Sequence, residues 1–140
     1  MTGNHRDSSA ADTAHAVITR YYAAFNAGDA EGMLALLTPD VRHDINEGES
    51  QTGLDAFRAF LAHMDEHYAE QAEELVVMAS ADGTRGAAEF VIRGEYLKTD
   101  GDLPQAAGQR YALPVGAFFA LEGGKIARVT NYYNLADWSR

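Results

Sequence analysis

Apolar positions in the first half of the chain recur at helical spacing. From Thr13 onward, Ala14, Val17, Ile18, Tyr21 and Phe25 fall three and four residues apart, the repeat of one buried helical face. "NAGD" at 26–29 stops this helix, with Gly28 suited to the left-handed residue beyond the C-cap. Asp29 caps a second helix that carries Met33, Leu34, Leu36 and Leu37, and Pro39 ends it. "DVRHDINEGES" (40–50) reads as a short strand running into a turn. A third helix starts at Thr52, whose hydroxyl caps it, with Asp55 in the favourable first turn. Its buried stripe is Phe57, Phe60, Leu61, Met64 and Tyr68.

The second half reads as strand. "ELVVMAS" (74–80) turns through Asp82-Gly83 into "GAAEFVIRGEYLK" (86–98). After a polar loop at 99–109, "RYALPVGAFFAL" (110–121) and "KIARVTNYYN" (125–134) are joined by Glu122-Gly123-Gly124. Such short turns make neighbours antiparallel. Helices followed by a meander define an α+β domain, a curved antiparallel sheet with helices on one face. In 110–121 the even positions (Ala112, Pro114, Gly116, Phe118) and the odd ones (Leu113, Val115, Ala117, Phe119) are both apolar. A half-exposed strand alternates, so both faces are expected to be covered, one by the helices and the outer one by a second subunit in a homodimer.

Polar residues interrupt this pattern at a few places. Along "RVTNYYNLADW" (128–138) the odd positions are the more apolar until Asn131. A carboxamide facing a core is costly unless satisfied, so Asn131 either bonds backbone at a bulge or opens into a pocket. Tyr21 sits in the middle of its apolar stripe and needs either a core acceptor or a cavity for its hydroxyl. "RHDIN" (42–46) gathers His43, Asp44 and Asn46; His43 and Asp44 suit an acid/base pair, but alternation sends them to opposite faces. "HMDEH" (63–67) matches the H-x-x-E-H pattern of zinc peptidases. Met64 belongs to the buried stripe, however, which leaves His63 toward solvent and His67 at the edge. With no third ligand or cleft in view, no metal is expected.

Composition narrows the function. The chain has 140 residues, 46% of them hydrophobic, enough for one core. The polar stretch 1–12 is expected as a disordered lead and 13–140 as a single domain. No apolar run reaches the ~18–20 residues of a membrane span, and the N-terminus lacks the apolar segment of a secretory signal. With no cysteine, disulfides and thiolate chemistry are excluded, which fits a cytoplasmic setting. A net charge of −10 with scattered Lys and Arg argues against nucleic acid. Neither a nucleophilic-serine elbow nor a phosphate-binding glycine loop is present.

"RYYAAFNAGDAEGMLALLTPDV" (20–41), "TGLDAFRAFL" (52–61) and "GGKIARVTNYYN" (123–134) resemble the NTF2-like superfamily, closest to ketosteroid isomerases and SnoaL-like polyketide cyclases. The resemblance spans about residues 14–138. It implies a cone, a curved antiparallel sheet wrapped around N-terminal helices with an apolar pocket at the open end, commonly dimeric. By the same resemblance, Tyr21 matches the tyrosine oxyanion donor of ketosteroid isomerases. Their aspartate base falls on Ile45 without a gap and on Asp44 with one residue deleted. Their second donor, a protonated aspartic acid, falls on Gly116, so Asn131 or the Tyr133 hydroxyl would have to replace it. The expected pocket lining adds Asn46, Leu61, Met64, Phe90, Ile92, Gly116, Phe118 and Val129.

The function implied is a cofactor-independent isomerase or cyclase acting on a small apolar carbonyl compound. Asp44 or His43 would move a proton beside the carbonyl. The alternative is a non-catalytic module binding an apolar ligand.

Overall fold

A computed structural model describes residues 2–138. The element order is α1 (Thr2–Asn26), α2 (Ala30–Leu34), β1 (Leu37–Ile45), β2 (Glu49–Thr52), α3 (Leu54–His67), β3 (Tyr68–Ala79), β4 (Arg85–Tyr96), β5 (Arg110–Glu122), β6 (Lys125–Tyr132) and α4 (Leu135–Trp138). Helix α1 starts well ahead of Thr13, so residues 2–12, expected as a disordered lead, continue it; Met1 lies outside the described residues. No proline breaks this stretch, and the backbone at Ala10 passes so close to the β3–β4 turn that a Cβ on Gly83 would meet it at 2.5 Å.

The Asn-Ala-Gly-Asp turn forms as its residues dictate. Gly28 takes φ +68°, and the Asp29 carboxylate accepts from the Gly32 amide at 2.9 Å. Helix α2 nevertheless closes at Leu34, before Pro39, because Leu37 already pairs with β6. Pro39 lies in β1 where that pairing slips between Leu37 and Arg42, a place where its missing N–H breaks no ladder bond. Helix α3 is capped by Gly53 at φ 99° and not by Thr52, which ends β2; the Gly53 amide is drawn to the Val41 carbonyl at 2.8 Å.

Six strands form one sheet in the order β2-β1-β6-β5-β4-β3. The meander β3–β6 is antiparallel, as expected from its turns. β1 and β6 pair in parallel, a long-range match that no local turn announces. The core lies between α1 and the inner sheet face, where Val17, Ile18, Phe119, Ile126 and Val129 are buried to 2% exposure or less. The odd positions of β5 face inward and its even positions outward, which leaves Phe118 on the outer face beside Tyr132, ring centroids 5.9 Å apart. Val76 and Met78 are exposed as well.

One side chain joins α1 to the far strand. The Asn26 carboxamide donates to the Ala72 carbonyl (3.0 Å) and accepts from the Ala72 amide (2.8 Å), imitating a neighbouring strand. The Gln71 amide donates to the Asn26 carbonyl at 2.9 Å. Just beyond, β3 breaks register between Glu73 and Val76, with Glu74 at φ 56°. Replacing Asn26 with Ala leaves two buried backbone groups of Ala72 unpaired. The substitution is expected to lower the unfolding free energy by about 2–3 kcal/mol, read as a lower midpoint with unchanged slope in urea unfolding.

Candidate functional site

The inner sheet face is filled by α1 at one end and spanned by α3 at the other, and a hollow of about 640 Å³ remains between them. Toward the end of α1, Tyr21 and Tyr22 turn edge-on to Phe119, at 5.8 and 6.1 Å. Tyr22 also meets Phe90 at 4.8 Å. Both hydroxyls lack a hydrogen-bond partner among the described residues, and both residues line the hollow. Burial pushes both phenols well up, so they remain O–H donors. Helix α3 adds Phe57, Phe60, Leu61 and Met64, and the sheet adds Phe90, Ile92, Leu113 and Val115.

Polar groups enter this apolar lining at three places. The first is His43, which is 2% exposed and stacked on Phe57 at 4.4 Å with Phe60 edge-on at 4.7 Å. Its Nε2 lies 3.5 Å from the Asn131 amide, and its Nδ1 is buried without a partner. Burial lowers its pKa to about 4, despite the pull of Asp44 in the other direction. At neutral pH the ring is therefore uncharged, with one N–H to give.

The second is Glu70 on β3, whose carboxylate accepts from the Tyr111 hydroxyl. Burial raises its pKa, outweighing that hydrogen bond. Its charge in turn adds to burial in raising the Tyr111 and Tyr133 hydroxyls. The third is a cluster at the rim. Asp100 accepts from the Tyr68 hydroxyl at 2.7 Å and contacts His63 Nε2 at 2.9 Å. Its loop is pinned, with the Asp100 amide donating to Tyr96 Oη at 2.9 Å and that hydroxyl donating to the Pro104 carbonyl at 2.7 Å.

Of the expected residues, Tyr21, His43, Asn46, Leu61, Met64, Phe90, Ile92, Asn131 and Tyr133 line the hollow. Four do not. Asp44 points to the opposite face from His43, where it accepts from Thr130 (2.7 Å), Arg42 (2.7 Å) and Ser50 (2.9 Å). Partial burial pushes its pKa up, but these hydrogen bonds outweigh it and hold the carboxyl below its usual value. A carboxylate engaged in this way, outside the pocket, does not take a proton from a ligand within it. Gly116 and Phe118 face outward with the even positions of β5; the inward ones are Leu113 and Val115, so no acid stands there at all. Val129 faces inward but is packed in the core at 0% exposure, paired with His43.

The pattern also missed residues. His63 is exposed, as the helical pattern implies, but it stands at the rim of the hollow and Asp100 meets it there, a third group that the pattern does not reveal; His67, expected at the edge, is buried. Glu70 escaped notice because "YAEQAE" (68–73) carries too few apolar residues to read as strand. The signal was its alternation: Tyr68, Glu70 and Ala72 are the more buried positions.

Residues 18–129 match the SnoaL-like domain family. The chain belongs to that family, and its helices packed on a curved six-stranded sheet have the NTF2-like fold. Among solved structures it is similar to a "putative polyketide cyclase" from Pseudomonas putida KT2440, at 57% identity over 89% of this chain and 94% of that one, with a TM-score of 0.88. A protein from Xanthomonas campestris pv. campestris with the same description is 49% identical over 92% and 96% of the two chains, with a TM-score of 0.90. An "LEH-like epoxide hydrolase" of M. tuberculosis shares the fold at 15% identity over 91% and 86%, with a TM-score of 0.69. Among curated proteins none matches.

The buried neutral His43 gives stability a definite pH dependence. Its proton affinity is lower folded than unfolded, so the unfolded chain binds more protons between the folded value of about 4 and the ordinary 6.5. Stability is therefore expected to fall as pH drops through that window, by roughly 3 kcal/mol from this group at 1.36 kcal/mol per pKa unit. His43→Gln should flatten that part of the unfolding-versus-pH curve relative to the parent chain.

Proposed function

We propose that this protein is a cofactor-independent isomerase or cyclase that moves a proton next to a carbonyl in an apolar ligand, with Glu70 as the base. One observation carries the reading: a half-buried carboxyl of raised pKa opens into an apolar hollow that it shares with hydroxyl donors lacking a partner among the described residues. A base works best when its pKa approaches the operating pH, and burial moves Glu70 in that direction. The Tyr21 and Tyr22 hydroxyls and the uncharged His43–Asn131 pair are neutral donors. In a water-poor cavity such donors stabilise a developing oxyanion strongly.

In the proposed step, the Glu70 carboxylate takes a proton from the carbon beside the carbonyl. The C–H electron pair becomes the enolate double bond, and the carbonyl oxygen takes the negative charge. The enolate then either regains that proton from Glu70 at another carbon, which is isomerisation, or attacks a second carbonyl in the same molecule. In the latter case a C–C bond forms and the proton passes to the new alkoxide. Membership of the SnoaL-like family and the cyclase descriptions of relatives 49–57% identical favour the second course. The aliphatic Leu113 and Val115 on β5 favour a rival reading, a module that binds an apolar carbonyl compound without converting it.

The test uses α-tetralone, an apolar ketone, in D₂O, following loss of its α-proton signal by NMR. The parent chain is expected to accelerate exchange, and Glu70→Gln to reduce that acceleration about 100-fold or more. Asp44→Asn should change it by no more than about twofold, since Asp44 lies outside the hollow. The pH limb of exchange should lie above the ordinary carboxylate value of about 4.3. Full activity in Glu70→Gln removes Glu70 from the mechanism. Saturable binding of the ketone with no exchange leaves the binding-module reading.

We also propose that the outer sheet face is covered by a second copy of the chain. Phe118 (47% exposed) and Tyr132 (60% exposed) form an aromatic pair there, next to Ala112 and Pro114. Phe118→Asp is expected to shift the mass measured by light scattering from dimer to monomer, with the fold unchanged by circular dichroism.

A further inference from the structure

We infer that His63, His67 and Asp100 form a binding site for one divalent zinc ion at the rim of the hollow. The two histidines stand one turn apart on α3, with rings stacked at 4.2 Å and 26° between planes. Asp100 reaches them from the β4–β5 loop, and one donor atom from each of the three lies within 4.8 Å of the others. Ligand atoms bonded to one zinc at about 2.0–2.1 Å sit roughly 3–3.5 Å apart. His63 Nε2 and Asp100 Oδ1, at 2.9 Å, are already close to that spacing. The third donor, no more than 4.8 Å from the other two, closes to that spacing by side-chain rotation.

The surroundings prepare each donor. His67 Nδ1 lies 2.7 Å from the His63 carbonyl, which accepts only, so Nδ1 carries the proton. That fixes the tautomer in which Nε2 presents a bare lone pair, and Nε2 has no partner among the described residues. Tyr68 donates to Asp100 Oδ2, which leaves Oδ1 for the ion, and the Tyr96 hydroxyl holds the Asp100 backbone. An ion pair between His63 and Asp100 alone engages one ring. It leaves unexplained the second imidazole, stacked on the first and oriented by its own hydrogen bond.

The donor set of two imidazoles and a carboxylate suits zinc and neighbouring first-row ions, not calcium or magnesium. His63 and Asp100 line the hollow, so the remaining coordination positions open into it, where a water or a ligand oxygen would complete the shell. The site stands independently of the proton-transfer reading, because its test is binding and not turnover.

The experiment titrates tag-free, full-length protein, first stripped with a chelator, with Zn²⁺ by calorimetry and with Co²⁺ by visible absorption. One equivalent of zinc is expected to bind with micromolar or tighter affinity, and cobalt to give visible ligand-field bands that zinc displaces. His67→Gln and Asp100→Asn should each weaken zinc at least 10-fold, while His15→Gln, at an exposed histidine on α1, should leave it unchanged. Absence of saturable uptake by the parent chain overturns the inference, as do folded His67→Gln and Asp100→Asn variants that bind like the parent. Should either variant fail to fold, the cobalt spectrum of the parent decides: no displaceable bands, no site.

Discussion

The pocket depends on how a helix is fastened to the far side of the sheet. Asn26 does this by pairing its carboxamide with both backbone groups of Ala72, as a strand residue would. An amide can do so because it presents one donor and one acceptor at nearly the spacing of a peptide unit. The same residue opens the Asn-Ala-Gly-Asp turn, so the end of α1 and the start of the chain's return are set together. With α1 held there, its Tyr21 and Tyr22 point past the packed core into open space, and the irregularity of β3 at Glu74 bends the sheet around them.

The hollow follows from a mismatch of areas. Helix α1 covers the inner face with Val17 and Ile18 at one end, while α3 reaches across the other end through Phe57. Neither fills the middle. Apolar side chains line most of the space, so each polar group there behaves as burial dictates. The tyrosines and His43 stay neutral, and Glu70 holds its proton more tightly than a surface carboxylate. Neutral donors and a carboxyl of raised pKa are the equipment that the proposed enolate chemistry would use.

The helical stripe of α1, the turn at 26–29, the hairpins of the meander and the apolar character of both β5 faces were legible along the chain. They arise from local periodicity and turn chemistry, which need no partner element. The resemblance to the NTF2-like superfamily and the candidates Tyr21, His43, Asn131 and Tyr133 were legible too, since polar residues inside apolar patterns signal a cavity. Other features were not. Alternation separates His43 from Asp44, yet which one faces inward is set by pairing β1 in parallel with β6, 86 residues away in the case of Asp44 and Thr130. Alternation along β5 likewise turned Gly116 and Phe118 outward, because its odd positions are the ones that face the helices.

The sequence by itself determined most of the elements, their order and the presence of polar groups among inward-facing positions, because backbone propensity and apolar spacing act over a few residues; it left the start of β3 and the first turns of α1 unread. Only the tertiary structure decided which carboxylate opens into the hollow and which is tied up outside it. It placed Glu70 in the hollow, took Asp44 out of it, and carried the loop residue Asp100 across to two histidines on α3. The reason is physical: desolvation and coordination depend on what lies opposite a side chain, and that is fixed by strand register and packing between distant parts of the chain.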